Sequence, residues 1–364
     1  MSLQCGIVGL PNVGTSTLFN ALTAAGAAAA NYPFCTIDPN IGVVSLPDSR
    51  LEALTKIFQP EKISPTAIEF VDIAGLVAGA SQGEGLGNQF LGHIRNVDAI
   101  VHVIRCFEDP DVVHVSGSTD PLRDIEVIHT ELALADLDAV EKRLAKTGKA
   151  AKSGDKKAAI ELPLLEQLKK GLNEGVAARS LPFSVEEKEI LRDLFLLTAK
   201  PLLYVANISE KELTHPSPAL AQLEEVARKE GTVVIPICAK IEAEISELKG
   251  EERASFLEEM GLKASGLDRL AREGYKLLNL ITFFTAGKPE VRAWTVTRGA
   301  KAPQAAGVIH SDFEKGFIKA ETYHYNDLIA NGSEQKVKEK GLLRLEGKEY
   351  VVKDGDIFYF RFNV

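Results

Sequence analysis

The chain has 364 residues, 45% apolar and 26% charged, a globular mix that excludes a disordered or collagen-like polypeptide. One ordinary core is too small for this length, so two or three compact units are expected. Lys plus Arg total 42 against 51 Asp plus Glu, and the formal charge of -9 excludes a protein that coats nucleic acid through bulk positive charge, while a local basic patch stays open.

The first ten residues lack a basic segment followed by a long apolar one and read as the start of a strand rather than a signal peptide. No window approaches the ~18 uninterrupted apolar residues of a membrane span, so no membrane partner is expected. Cys5, Cys35, Cys106 and Cys238 are widely spaced with no C-x-x-C pair. That pattern suits a reduced, cytoplasmic protein with small buried thiols and argues against a metal cluster.

The first strand is predicted over 4–10. It runs into Gly9-Leu10-Pro11-Asn12-Val13-Gly14-Thr15-Ser16, and a helical run over 17–24 follows. Strand, glycine-bounded loop and helix are the context of a Walker A phosphate loop. Glycines let backbone N–H groups close around phosphate oxygens, and the helix start adds partial positive charge. Asn12, Val13, Gly14, Thr15, Ser16 and Thr17 are therefore candidate phosphate-binding residues, with the Ser16 hydroxyl placed on Mg²⁺. The motif demands Lys at position 15, and this chain has Thr. A threonine offers one hydroxyl and no charge. By analogy with losing one preorganised electrostatic contact, the cost is about 3–4 kcal/mol, or ~10²–10³ in rate.

Thr36 lies between the first helix and a strand predicted over 42–46, where a switch loop would bring a hydroxyl to Mg²⁺. The strand over 67–72 ends in Asp72-Ile73-Ala74-Gly75. An acid at the carboxyl end of a neighbouring strand is the Walker B arrangement, and Gly75 could offer its N–H to a γ-phosphate. A further strand is predicted over 99–105. Buried Val- and Ile-rich runs separated by helices argue for a doubly wound, mostly parallel sheet.

A long helical insertion is expected over 121–200. Leu134, Leu137, Glu141 and Leu144 make one stripe, and Leu164, Leu165, Leu168 and Leu172 a second. The two turn near Ser153-Gly154-Asp155, which predicts an antiparallel hairpin. Pro163 should kink the returning helix or mark its start. Ser184 and Glu187 form a capping-box pattern behind Phe183. The hairpin tip carries Lys142, Arg143, Lys146, Lys149, Lys152, Lys156 and Lys157 against Asp155 alone. Two readings stay open: a solvated surface, or a contact for RNA phosphates.

Strands are predicted over 202–206 and 232–237. Asn207-Ile208-Ser209-Glu210 follows the first of them. A guanine site has N-K-x-D there, whose Asp accepts from the base. Ile208 and Glu210 depart from that pattern, which disfavours guanine and leaves ATP preferred, with GTP weaker. From about residue 280 the pattern becomes β-rich, with strands over 291–297, 316–322 and 357–363 and a turn at Asp354-Gly355.

Together these motifs closely resemble the YchF subfamily of Obg-related P-loop NTPases over essentially the whole length. The most specific residues are the run from Asp72 to Asn88, Asn31-Tyr-Pro-Phe-Cys-Thr36, the Asn207 to Glu210 variant, and the end from Val352 to Val364. The resemblance implies an α/β fold: a Ras-like P-loop NTPase domain (1–120 and 201–279) with an inserted antiparallel helical hairpin (121–200), plus a C-terminal β-grasp (TGS) domain (280–364). It implies a slow Mg²⁺-dependent ATPase switch, stimulated by K⁺ through Asn12, with Phe107 packing on adenine. It implies a monomer associated with the ribosome, ribosomal RNA or the stress response. Leu76 stands where a Ras-like enzyme keeps glutamine and cannot hydrogen-bond, so the resemblance assigns water orientation to His114. The family pattern has Lys at position 15, so Thr15 weakens the expected catalysis more than the expected fold. The rival reading is a non-hydrolysing scaffold that grips RNA or the ribosome.

Overall fold

The computed structural model describes residues 3–27, 40–73, 75, 86–109 and 117–363. Thr36 and His114 lie outside the described residues, as do Cys35 and Leu76. The chain forms two compact units, one built mainly from residues 1–25 and 69–267, the other from 43–68 and 268–364.

The N-terminal third runs β1 (Gln4–Val8), α1 (Thr15–Ala27), β2 (Ile41–Ser45), α2 (Ser49–Phe58), β3 (Lys62–Ser64), β4 (Ala67–Asp72), α3 (Leu86–Asn96) and β5 (Ala99–Arg105). After a helical region come β6 (Leu202–Asn207) and β7 (Val234–Ile237). These strands form a six-stranded sheet in the order β2-β4-β1-β5-β6-β7. Strand β1 is parallel to both β4 and β5, β5 to β6, and β6 to β7. All seven residues of β5 and all six of β6 are buried, as central strands of a covered parallel sheet require. The register pairs Ile7 with Asp72, Arg105 with Asn207, and Asn207 with Ile237. The residues that leave these strands therefore emerge along one carboxyl edge, the edge where open α/β sheets bind ligands.

The insertion is a hairpin of α4 (Pro121–Lys152) and α5 (Lys156–Asn173), followed by α6 (Val185–Leu191). Asp120 caps α4 by accepting from the Arg123 N–H, with Pro121 at its first turn. Gly154 turns the chain at φ 88°, and Asp155 caps α5 by accepting from the N–H groups of Lys157 and Ala158. Pro163 therefore does not mark the start of α5, which is capped roughly two turns earlier. The capping box of Ser184 and Glu187 forms as expected on α6.

Leu164, Leu165, Leu168 and Leu172 are all buried in one cluster with Val140 and Phe183. The expected α4 stripe holds in part: Leu137 and Leu144 pack against this cluster, but Leu134 is 37% exposed and Glu141 is exposed, and the fully buried face runs through Ile125, Ile128, Leu132, Ala135 and Val140. The reason is a change of partner along a long helix, since α4 meets β5 as well as α5. Asp136, 1% exposed, lies on this buried face. Its carboxylate accepts from the N–H groups of Leu197 and Thr198 at 2.8 and 2.7 Å and from the Thr198 hydroxyl at 2.7 Å. A polar residue that reads as surface on a helical wheel is thus the tie for the segment leading into β6.

A second polar cluster in the first unit joins the buried His102 and Tyr204 to the partly exposed His129 and Glu230. Tyr204 on β6 donates to Glu230 at 2.8 Å and lies 3.2 Å from His129 Nε2. His102 on β5 packs against both rings, and its Nδ1 has no hydrogen-bond partner.

The second unit carries the other six-stranded sheet, from β3, β8 (Leu280–Ala286), β9 (Glu290–Thr297), β10 (Phe317–His324), β11 (Arg344–Glu346) and β12 (Asp356–Phe362). Its order is β11-β10-β12-β8-β9-β3. Strand β10 is antiparallel to β11 and β12, β8 is antiparallel to β9, and β12 is parallel to β8. Strand β3, far away in sequence, adds to the edge parallel to β9. Leu51 and Leu54 of α2 share a core with Phe284, Val291 and Ile357.

Candidate nucleotide site

A cleft of about 520 Å³ opens at the carboxyl edge of the first sheet. Asn12, Gly14, Thr15, Ser16 and Thr17 form one wall. Phe107, Glu108 and Asp109, which follow β5, form a second. The rest is built from Asn207 to Glu210 after β6 and from Cys238, Ala239 and Lys240 after β7.

The loop owes its shape to two glycines. A Cβ on Gly9 would come within 2.7 Å of a Val13 methyl and 2.9 Å of the Val103 carbonyl oxygen. Gly14 has φ 97°, and a Cβ there would collide with the Asn207 amide. Asn12 is also left-handed, at φ 65°, with Val13 between the two. Such alternation turns successive N–H groups toward one side and makes an anion-binding hollow. Helix α1 begins at Thr15 and has no acidic residue in its first turn, so no carboxylate of its own offsets its partial positive charge. Thr15 lines the cleft where an ammonium would enter, while Ser16 and Thr17 are exposed to it.

Asn207 is 5% exposed, and each end of its amide holds a backbone group while keeping a further donor or lone pair. Its Nδ2 donates to the Val13 carbonyl at 2.9 Å, and its Oδ1 accepts from the Ala239 N–H at 3.2 Å. It ties the phosphate loop to the turn after β7. Glu212, not Glu210, caps the short turn after β6, accepting from the Ser209 N–H at 2.8 Å and its hydroxyl at 2.7 Å. Glu210 stays exposed on the cleft wall, and Ile208 is buried beneath it.

Asp72 is half-buried at the end of β4, and burial pushes its carboxyl above the usual carboxylate range. Among the described residues it has no ion pair that would offset that burial. Asp72 is not among the described residues that line the cleft, whereas Ser16 is; each offers a hard oxygen, the donor type that suits a divalent cation such as Mg²⁺. Gly75 is exposed, and a Cβ on it would lie 3.3 Å from the Pro11 nitrogen, so it approaches the phosphate loop closely.

Among the described residues that line the cleft, the formal charges are Glu108, Asp109 and Glu210 against Lys240. Reading the sequence missed the turn of Cys238, Ala239 and Lys240, although its position after the last parallel strand was the available signal. It also missed Arg105, the cation that closes β5. Arg105 is 2% exposed, and its guanidinium lies over the Phe107 ring at 4.6 Å.

Comparison with known proteins agrees along the whole chain. A family model described as 50S ribosome-binding GTPase matches residues 4–144, and the YchF-GTPase_C family model matches residues 280–363. The chain is 58% identical to the Ribosome-binding ATPase YchF of Bacillus subtilis (strain 168) and 57% identical to that of Escherichia coli O157:H7, covering 100% of each chain in both cases. The solved structure of the Schizosaccharomyces pombe YchF GTPase is 39% identical, with a TM-score of 0.90 over 99% of this chain and 98% of that one.

Proposed function

The chain belongs to the YchF family of Obg-related P-loop NTPases, and we propose that it is a cytoplasmic, Mg²⁺-dependent ATP hydrolase that works as a ribosome-associated switch. The observation that carries this is a cleft lined together by the phosphate loop, Phe107 and the stretch from Asn207 to Glu210. The relatives' names supply the ribosome and the ATPase activity; the cleft supplies a place where that chemistry fits.

In this reading the α1 start and its loop bind the phosphates, and Phe107 packs on adenine. Ile208 and Glu210 in place of the guanine-reading Lys and Asp support ATP over GTP. Ser16, Asp72 and Thr36 would hold Mg²⁺, which when bound neutralises charge developing on the phosphates. A bound cation matters more here than in a lysine-bearing loop. Among the described lining residues three acids outnumber one lysine, so a cation that accompanies the polyanion offsets their repulsion. Asn12 is the proposed K⁺ ligand, Gly75 the γ-phosphate donor and His114 the water-orienting group. Nucleotide state would act through the stretches at Thr36 and after Gly75 and so alter partner binding. The C-terminal unit is assigned as the regulatory TGS domain.

Calorimetric titration of the whole chain with ATP, ADP and GTP, each with Mg²⁺, tests the reading. Tighter binding of ATP than GTP is expected. No binding at millimolar ligand would overturn it in favour of a scaffold without nucleotide chemistry, for which the exposed Lys149, Lys152 and Lys156 are the supporting observation.

A further inference from the structure

We propose that Arg105 is a positioning residue for the base end of the cleft: it sets the plane of the Phe107 ring and fixes the chain behind it before any nucleotide arrives. The assignment rests on the ATP reading above and deepens it.

A cation buried at the end of a central strand is costly unless its donors are used. Arg105 uses them on the residues that build the cleft wall. Its Nε donates to the Phe107 carbonyl at 3.1 Å, and its Nη2 donates to the Asp109 carbonyl at 3.2 Å. The same guanidinium covers one face of the Phe107 ring. Cys106 between them is held from the other side, its N–H donating to the Asn207 carbonyl at 2.8 Å. Phe107 and Asp109 are therefore anchored to Arg105, which is not among the described residues that line the cleft, and Cys106 to Asn207, which is.

Phe107 is half-buried and lines the cleft, so the ring face away from the guanidinium is available to a flat ligand. A base stacking there would complete a three-layer arrangement of cation, ring and base. The planar fork matters, because an ammonium cannot lie flat on the ring and donate to two carbonyls in fixed directions. Preorganisation of this kind lowers the ordering cost of binding without adding a contact to the ligand. Thr15 sharpens the consequence. With no charge at the phosphate end, a larger share of affinity falls on the base end.

The test compares the intact chain with Arg105→Met, Arg105→Lys and Phe107→Leu by calorimetry against ATP and UTP with Mg²⁺. UTP carries the same phosphates on a smaller ring. Arg105→Met is expected to raise the ATP Kd by at least ~10-fold and the UTP Kd by no more than ~2-fold, with Arg105→Lys in between. Because the two residues act together, Arg105→Met should add less than ~2-fold on a Phe107→Leu background. Equal weakening of ATP and UTP would reduce Arg105 to a fold-stabilising cation and overturn the assignment, as would an unchanged ATP Kd or full additivity. Should Arg105→Met fail to give a cooperative thermal transition, the ATP-to-UTP ratio of Arg105→Lys decides by the same criterion. An unsubstituted chain that binds no ATP overturns the nucleotide reading and this assignment together, whereas binding insensitive to residue 105 overturns the assignment alone.

Discussion

At position 15 a hydroxyl stands where the family pattern carries an ammonium. The consequence is electrostatic rather than architectural, because the loop's shape comes from Gly9, Gly14 and the Asn207 tie, none of which involves residue 15 through its charge. Under the ATPase reading, Thr15→Lys should raise steady-state phosphate release by at least ~10-fold. Unchanged turnover in a folded variant would remove the catalytic role given to that position. Asn207 lines the cleft, and its amide also holds Val13 and Ala239, a link that only the parallel register of β5, β6 and β7 creates by bringing those three loops together.

Among the elements, the hairpin of α4 and α5 is the most legible. Its turn needs a left-handed residue and a cap, and Gly154 and Asp155 announce both. Its buried face is harder to read, because α4 changes partner along its length and carries Asp136 inward. At the tip, Lys142 pairs with Asp138 at 2.6 Å and Arg143 with Glu161 at 2.7 Å, so those two cations are already engaged. Lys149, Lys152 and Lys156 are exposed beyond them. Charge reversal at these three should weaken co-sedimentation with ribosomes and flatten its salt dependence, by about 0.9 in the log–log slope for each phosphate that is no longer neutralised. Binding that keeps its salt slope would make the tip a solvated surface.

Across the first unit, stability and proton uptake are linked through the cluster of His102, His129, Tyr204 and Glu230. Burial holds the His102 imidazole well below its usual range, with the charges of His129 and Arg179 adding to the effect. Burial likewise lowers His129 to about 4, although Glu230 opposes it. Both groups fold as neutral imidazoles, while the unfolded chain takes up protons near pH ~6.5. The folded form is thus fully favoured above that pH and loses ground as pH falls toward 4, by about 1.4 kcal/mol per pH unit for each excluded proton. The urea midpoint should fall steadily over this window, and His129→Gln should make the decline shallower. An acid limb identical in the variant would show that other groups govern it.

The order of strands and helices in the first sheet, the phosphate loop with its missing lysine, the hairpin and the β-rich end were all determined by local chemistry: runs of Val and Ile, glycines with positive φ, caps and turn residues act over a few neighbours and leave a readable trace. Long-range packing decided that β3 joins the sheet formed by the C-terminal residues and that α2 packs on it, that Asp136 is buried, and that Arg105 braces Phe107 from behind. Those outcomes depend on which distant surfaces meet, and a buried guanidinium or carboxylate looks like any exposed charge until the partner that satisfies it is known.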